Sequence, residues 1–413
     1  MAYIKEYKNG LKLVVEPMRG FTSVSIAVLV KTGSRNEEIS ENGISHFIEH
    51  TVFKGTDKRS SFEISDYIDR IGAQINAFTS KELTCYYTKS TEEHTKDCIE
   101  VLSDIFFNAK FDESELDKER GVIIEEINMS EDTPDELCLD LLAESYGGKD
   151  GIGMTILGPI KHIKKFTKKD VNSYMDKYYT ADNVVISIAG NVKPEKCEEL
   201  VDKYFSDNFK RLKSVPQKKS KDFICGNIHK YKKIEQSHLS VALPAFSLFD
   251  ERYYALSVAN AVFGGGMSSR LYQKIREELG LCYTVYSYSS LYKDCGVVEI
   301  YAGVNNEARD LAVDSILAEL KRFNKEGITE QEFLRGKEQI KSSFILGKEN
   351  TASQMLVFGK YLLFNDKEYN ANEIIKKINS LTREEVLSVI KEIFTDNRLA
   401  VSSVGPTKKP IKI

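Results

Sequence analysis

Three chemically active side chains fall within five residues near the start of this chain. His46, Glu49 and His50 lie in the stretch GISHFIEHTVFKG, and the whole sequence contains only six histidines. Histidines four residues apart project from the same face of an α-helix, so both imidazoles can bind one metal ion. The carboxylate between them would then be able to take a proton from a water molecule at that metal. Because so short a pattern also arises by chance, the hypothesis depends on a third ligand.

The segment ESELDKERGVIIEEINMSED supplies candidates for that ligand. Its spacing predicts a helix on which Glu126 lies near the middle of an apolar arc, with Glu119 in line with it and Glu125 turned towards solvent. Carboxylates in a buried stripe are costly unless they are paired or bind a metal. We therefore predict that Glu126 is the third metal ligand and that Glu119 orients the catalytic site. The alternative is that either carboxylate pairs with a buried arginine or lysine.

The composition indicates the class of protein. A chain of 413 residues with 41% hydrophobic content can bury two cores, which predicts two domains. The net charge of −4 argues against a nucleic-acid partner. Seven scattered cysteines without C-x-x-C spacing indicate a reducing compartment. Because the chain has neither a signal sequence nor about eighteen consecutive apolar residues, we expect a cytoplasmic protein without a membrane partner.

A degraded internal repeat explains the length. The stretches 166–192 and 381–407 align at one offset, and each predicts a capped helix followed by a strand that ends in glycine. In an earlier pair of segments, the three residues of the metal motif fall opposite Leu256, Ala259 and Asn260. The repeat therefore duplicates the fold but not the metal chemistry.

The elements that must position these residues mix helices and strands without regular βαβ alternation. Alternating patterns predict strands over 23–30 and 73–87, and periodic apolar residues predict helices over 95–107 and 112–129. We predict an α+β fold of two homologous α/β layered domains, each an antiparallel-rich sheet with packed helices.

The predicted domain ranges follow from the repeat. Residues 1–212 carry the metal motif, and residues 228–413 form a sister domain without metal ligands. A lysine-rich linker over 213–227 joins them. We interpret the lysine run as a solvated linker, and a docking patch is the alternative.

The two motifs together resemble those of the M16 family of metallopeptidases, the pitrilysin and mitochondrial-processing-peptidase group. That family carries H-x-x-E-H, the motif of inverzincins, followed along the chain by a glutamate in an E-x(6)-E helix. His46, Glu49, His50, Glu119 and Glu126 match these positions, and the resemblance covers essentially the whole chain. It implies one Zn²⁺ per chain bound by His46, His50 and Glu126, with Glu49 as the base that activates the zinc-bound water.

A strand after the motif also agrees with that resemblance. Asn76, Ala77 and Thr79 match the family's N-A-x-T strand, an edge to which a substrate peptide adds by backbone hydrogen bonds. Taken alone, the segment is equally well an ordinary half-buried strand.

The second half adds a glycine loop and an R-x(6)-Y pair. The matching residues are Gly264, Gly265, Gly266, Arg276 and Tyr283. The resemblance implies that Arg276 and Tyr283 bind substrate carbonyls and the oxyanion of the tetrahedral intermediate. The alternative is a glycine turn, a surface arginine and a core tyrosine.

The resemblance implies a zinc-dependent endopeptidase that hydrolyses extended or unfolded peptides in a chamber formed by a homodimer. Arg276 and Tyr283 of one copy would reach the zinc site of the other, and action within one copy stays open. The alternatives are a non-catalytic core or assembly subunit and a peptide-binding homologue. Ligation by two histidines and a glutamate suits zinc better than manganese or cobalt.

Overall fold

A computed structural model describes residues 2–209, 216–365 and 369–412. These residues form two β-sheets packed against helices, which confirms the predicted α+β class of two layered domains. None of the helices that they form is long and apolar enough to cross a membrane. Residues 213–215 of the predicted linker, and its boundary with residue 212, lie outside the described residues.

The elements follow one another in an order that recurs in the second half of the chain. The strands are β1 (Tyr3–Glu6), β2 (Lys12–Pro17), β3 (Ser23–Val30), β4 (Gln74–Thr79), β5 (Thr84–Thr91), β6 (Val184–Gly190), β7 (Asn227–Tyr231), β8 (Gln236–Ala245), β9 (Cys282–Leu291), β10 (Gly296–Asn305) and β11 (Ala400–Gly405). The α-helices are α1 (Ile44–Thr51), α2 (Ser61–Arg70), α3 (Thr95–Asn108), α4 (Glu113–Asp132), α5 (Pro134–Gly147), α6 (Ile160–Ile163), α7 (Lys168–Tyr178), α8 (Pro194–Val201), α9 (Tyr253–Gly264), α10 (Arg309–Glu326), α11 (Glu330–Gly347), α12 (Thr351–Asn365), α13 (Ala371–Ser380) and α14 (Arg383–Ile393).

The first sheet has the strand order β1-β2-β6-β3-β5-β4, with β4 at one edge. On β3, alternate residues from Val24 to Val30 enter a core shared with helices α1, α3 and α7. The strand predicted over 73–87 is a hairpin of β4 and β5. It turns because the Ser80 backbone N–H donates to the carbonyl of Leu83 at 2.7 Å, while the Ser80 hydroxyl accepts from the Leu83 N–H.

The second sheet repeats the first. Its order β7-β11-β8-β10-β9 corresponds to β2-β6-β3-β5-β4, with the same parallel pair, β2 with β6 and β7 with β11. The helices that precede β6 and β11 both begin in a capping box, formed by Thr167 with Asp170 and by Thr382 with Glu385. The predicted internal duplication is confirmed.

The chain folds into two compact units that are not contiguous halves. Unit 1 comprises the described residues of Met1–Ile127, Thr155–Lys218 and Leu346–Asn370, and unit 2 the remainder. Thus α12, from the C-terminal half, packs on β3 and β6 of unit 1, while α5 packs on β8 and β11 of unit 2. The contiguous ranges 1–212 and 228–413 stay predictions.

Candidate active site

Helix α1 is preceded by a glycine that the local backbone conformation requires. Gly43 precedes the helix with a φ of 100°, and a Cβ there would lie 2.7 Å from the carbonyl oxygen of Leu157. The fully buried carboxylate of Glu37 accepts hydrogen bonds at 2.8 Å from the backbone N–H groups of Gly43 and Ser45. Because a carboxylate at a helix N-terminus satisfies otherwise unpaired donors, Glu37 stabilises the start of the helix that carries the metal motif.

The two faces of α1 have different tasks. Ile44, Phe47 and Ile48 are fully buried in the core of unit 1. His46 and His50 project from another face, with ring centroids 4.6 Å apart. Apolar burial therefore fixes the direction in which both imidazoles point.

The structure brings His46, His50 and Glu126 together. One potential ligand atom of each lies within 4.8 Å of the others. Glu126 Oε2 is 3.5 Å from His46 Nε2 and 3.3 Å from His50 Nε2. Two imidazole nitrogens and one carboxylate oxygen fit the ligand set of a catalytic zinc.

Glu119 contacts the same cluster through a different atom. Its Oε2 accepts a hydrogen bond from His50 Nδ1 at 3.3 Å, which leaves Nε2 of that ring facing Glu126. Its Oε1 is 2.6 Å from the Lys54 ammonium. The buried Glu119 therefore pairs with a lysine, although Lys54 is half-buried rather than the buried partner of the alternative, and it also contacts a predicted ligand.

The predicted buried stripe on α4 is only partly correct. Leu116, Ile123 and Ile127 are buried and Glu125 is exposed, as expected. However, 51% of Val122 and 69% of Met129 is exposed. The helix buries one side of its apolar arc and leaves the other side at the surface. Glu126 lies between the two sides, with 42% of its side chain exposed, rather than in a closed core.

Neighbouring charges and burial shift the pKa values of the cluster residues in opposite directions. Burial lowers the pKa of His46 to about 4, helped by the neighbouring His50. Burial also opposes protonation of His50, but the carboxylates of Glu119 and Glu126 outweigh it and raise the pKa to about 9. The hydrogen bond from His50 lowers the pKa of Glu126. These carboxylates therefore make the site attractive to a cation.

Glu49 occupies a different environment from the other carboxylates. Burial raises its pKa, although the hydroxyl and backbone of Thr79 act in the opposite direction. Its Oε2 is buried and has no hydrogen-bond partner within bonding distance among the described residues. A raised pKa and an unpartnered oxygen beside a ligand cluster suit a proton-transferring group.

Strand β4 lies at the sheet edge beside α1. It pairs with β5 and, among the described strands, with no other. Ala77 packs towards the core, Asn76 is exposed, and Thr79 lies next to Glu49. The three predicted substrate-binding residues therefore lie on a sheet edge close to the cluster, where the Ala77 backbone N–H donates to Asn76 Oδ1 at 2.8 Å.

In unit 2 the structure brings Arg276 and Tyr283 together. The Arg276 guanidinium lies 4.7 Å from the ring centroids of both Tyr272 and Tyr283. Tyr283 is 77% exposed, so it is not the core tyrosine of the alternative. Of the three predicted loop glycines, Gly264 is the last residue of α9, and a Cβ on it would lie 2.3 Å from Ser287 Oγ.

Sequence reasoning missed Glu37 and Lys54. Glu37 lies outside α1 and contacts the start of that helix only because the intervening residues fold back on it, so no periodic pattern reveals this contact. Lys54 is four residues after His50, but α1 ends at Thr51. Its contact with Glu119 is a tertiary one.

Two family models cover most of the chain. The model described as "Insulinase (Peptidase family M16)" matches residues 14–160, and "Peptidase M16 inactive domain" matches residues 165–340. The first range contains the histidine–glutamate cluster, and the second contains Arg276 and Tyr283.

Curated relatives and solved structures agree with these models. The chain is 42% identical to the "uncharacterized zinc protease YmxG" of Bacillus subtilis, with 98% of both chains covered. It is 36% identical to an "uncharacterized zinc protease" of Rickettsia felis, with 95% of both covered. A crystal structure of a protease from Helicobacter pylori shares the fold, with a TM-score of 0.90 at 24% identity over 98% of this chain and 99% of the other.

Fold, cluster and relatives together indicate the class of zinc peptidases, and the relatives' names support a peptidase function. Within that class, this chain belongs to peptidase family M16, in its short two-domain form.

Proposed function

We propose that this chain is a zinc-dependent endopeptidase that hydrolyses extended or unfolded peptides. The observation that carries the proposal is the convergence of His46, His50 and Glu126 on one point, with the Glu49 carboxylate beside them. One zinc ion per chain would be bound by those three residues. The cytoplasmic location stays a prediction.

Each residue of the cluster has a separate task in the proposed reaction. A bound zinc would supply a Lewis acid that polarises the scissile carbonyl and lowers the pKa of water. Glu49 accepts a proton from the attacking water as the O–C bond forms, and it delivers that proton to the leaving amine as the C–N bond breaks. Glu119 fixes the orientation of the His50 ring.

The free edge of β4 supplies a way to align the substrate. An extended peptide can add to this edge as a further strand along Asn76, Ala77 and Thr79, with hydrogen bonds to the backbone of alternate residues of β4. Such binding needs an unpaired backbone, so it favours unfolded segments over folded proteins.

The second half contributes donors for the developing negative charge. We assign Arg276 and Tyr283 to the substrate carbonyls and the oxyanion, because both carry donors and Tyr283 is exposed. We further propose that the chain forms a homodimer in which these residues act on the zinc site of the partner copy.

The decisive experiment separates metal binding from turnover. Replacing Glu49 by Gln preserves the side-chain shape but removes the base, so we expect full zinc content and a loss of about 10²–10⁴-fold in kcat on an unfolded peptide. Zinc is measured by elemental analysis and hydrolysis with a quenched fluorescent peptide.

Glu125→Gln is the matched control, because Glu125 lies one residue from Glu126 and is exposed. This control should retain both zinc and activity. Equal activity of wild type and Glu49→Gln would contradict the mechanism. A wild type that binds zinc and peptide without cleaving would instead favour the non-catalytic alternatives.

A further inference from the structure

The edge strand β4 presents two different faces to a peptide that adds to it. Ile75 and Ala77 pack towards the core, and Thr79 lies next to Glu49, so the odd-numbered side chains point to the side of the proposed metal site. Gln74, Asn76 and Phe78 point to the opposite side. Side chains of a bound extended peptide would alternate in the same way, so every second one would meet this opposite face.

Strand β5 extends the opposite face away from the edge. Lys89, Tyr87 and Cys85 lie directly across from Gln74, Asn76 and Phe78. The rings of Phe78 and Tyr87 are 6.3 Å apart. None of these six side chains is acidic, and Lys89 adds a positive charge.

Helix α12 brings a second cation to this face. Gly359 lies so close to Leu29 that a Cβ there would be 2.2 Å from Leu29 Cδ1, and Leu29 lies across from Cys85 on β5. The next residue, Lys360, therefore extends over the adjoining strands. Its ammonium lies 5.8 Å from the centroid of the Phe78 ring.

The charged side chains described above on this face, Lys89 and Lys360, are both cations. The sequence of α12, TASQMLVFGKYLLFN, contains no aspartate or glutamate. In the part of the chain that the structure describes, neither Lys89 nor Lys360 has a carboxylate within 4 Å. Lys360 is exposed, yet surrounding atoms desolvate its ammonium and lower its pKa. A partly desolvated cation gains more from an incoming carboxylate than a fully hydrated one does.

We propose that Lys360 and Phe78 form a specificity-determining subsite for an acidic side chain of the substrate, with Lys89 strengthening the positive field. The ring of Phe78 packs against the aliphatic part of an aspartate or glutamate side chain, while the ammonium of Lys360 pairs with its carboxylate. This subsite rests on the proposed peptidase function. It adds a preference among peptides that the metal cluster does not supply.

The test uses matched peptides that differ only in charge. Three quenched fluorescent peptides share one sequence and an amidated C-terminus, and carry Glu, Gln or Lys at alternate positions. For wild type we expect kcat/KM to be about fivefold higher for the Glu peptide than for the Lys peptide, the size of a well-formed exposed ion pair. The difference should lie mainly in KM, because the contact does not involve reacting atoms.

Three variants separate the subsite from general effects. Lys360→Gln should reduce the ratio of kcat/KM for the Glu peptide to that for the Lys peptide to about one. Lys360→Arg keeps the charge and should preserve the wild-type ratio. Lys169→Gln makes the same charge change at an exposed position on α7 and should leave the preference intact. A ratio of rates within one variant is insensitive to how much of that variant is folded. A preference unchanged by Lys360→Gln would overturn the proposal.

A binding arm keeps this proposal separate from the peptidase proposal. The same peptides are titrated into Glu49→Gln protein, and fluorescence anisotropy gives the ratio of Kd values without turnover. Absence of hydrolysis by wild type would contradict the proposed function, while the Kd ratio would still decide the subsite. If affinity depends on replacing the C-terminal amide by a free carboxylate, and not on the Glu side chain, the subsite binds the terminal carboxylate and the side-chain assignment is wrong.

Discussion

The Glu119 carboxylate lies between two basic side chains, and one of them, Lys54, supports its position. The Glu119 carboxylate accepts from His50 on one oxygen and contacts Lys54 on the other. Burial acts to raise the pKa of Glu119, but the contacts with His50 and Lys54 lower it overall. Lys54 therefore keeps Glu119 ionised and in position to orient a predicted metal ligand.

Replacing Lys54 by Met should weaken zinc binding. The change leaves one Glu119 oxygen buried without its partner, so the carboxylate no longer fixes the His50 ring. Loss of a residue that supports a metal ligand typically raises the Kd for metal by about 10–100-fold. Competition with a chromogenic chelator measures that Kd directly.

Two variants control this experiment. Lys58→Met removes a more exposed lysine four residues further on, which pairs with Glu100 instead, and should leave the zinc Kd unchanged. Lys54→Arg should retain most of the affinity. Equal zinc affinity in wild type and Lys54→Met would show that Lys54 is only a surface partner.

At the scale of single elements, close helix–sheet packing depends on Gly359. A Cβ on this residue would lie 2.2 Å from Leu29 Cδ1 and 2.9 Å from Ser187 Cβ, both on the sheet of unit 1. Gly359→Ala should therefore lower the free energy of unfolding by about 1–2 kcal/mol, since overpacking outweighs the gain in helix propensity.

Gly121→Ala is the matched comparison for that change. Gly121 also lies inside a helix, but nothing stands within 4 Å of its would-be Cβ. It should raise the free energy of unfolding by about 0.5–1 kcal/mol through helix propensity alone. Denaturant titration measures both, and stabilisation by Gly359→Ala would contradict the packing argument.

The start of α11 contains a pH-dependent interaction. Glu332 accepts two hydrogen bonds from Arg270, at 2.8 and 2.9 Å, and closes a capping box with Thr329. Although burial opposes ionisation, these partners lower the pKa of Glu332 to about 2. Since the folded-state pKa lies below the unfolded one, the interaction stabilises fully above about pH 5 and weakens as the pH falls towards 2.

Glu332→Gln should therefore cost roughly 2 kcal/mol of unfolding free energy at pH 7 and clearly less at pH 3. Denaturant titrations at several pH values measure the difference. Glu385→Gln removes a similar capping-box carboxylate that accepts from Thr382 at an exposed site, and should show a smaller change. A cost for Glu332→Gln that does not depend on pH would rule out the ionic contribution.

At the scale of the whole molecule, the homodimer proposal can be tested by mixing inactive chains. If Arg276 acts on the partner's zinc site, a dimer of one Glu49→Gln chain and one Arg276→Ala chain contains one intact site. After random exchange, half of the dimers are mixed, and each mixed dimer has one intact site of two. Activity should therefore recover to about a quarter of the wild-type value. Peptide hydrolysis after subunit exchange measures it.

The control mixture combines Glu49→Gln with His46→Ala. Both changes affect the metal-binding side of the site. In a mixed dimer, each of the two zinc sites would therefore carry one of the changes. Neither site is intact, so no recovery is expected. Absence of recovery in the Glu49 and Arg276 mixture as well would favour action within one chain, or a monomer.

Regular local structure explains what the sequence could predict. His46, Glu49 and His50 are spaced by one helical turn, and Glu119 and Glu126 by two, so helix geometry alone relates them. Strand β3 is found over the predicted residues 23–30 because its alternation into the core is complete. The two capping boxes could be recognised in the sequence and helped to predict the internal duplication, because a capping box depends on two residues only three positions apart.

Only the tertiary structure decided which distant residues meet. The contact of Lys54 with Glu119, the capping of α1 by Glu37 and the placement of α12 on β3 join segments that no helical or strand period relates. The half-exposed position of Glu126 likewise depends on which side of α4 the core covers. Periodicity reports what one element can bury, whereas the packing of all elements determines what it does bury.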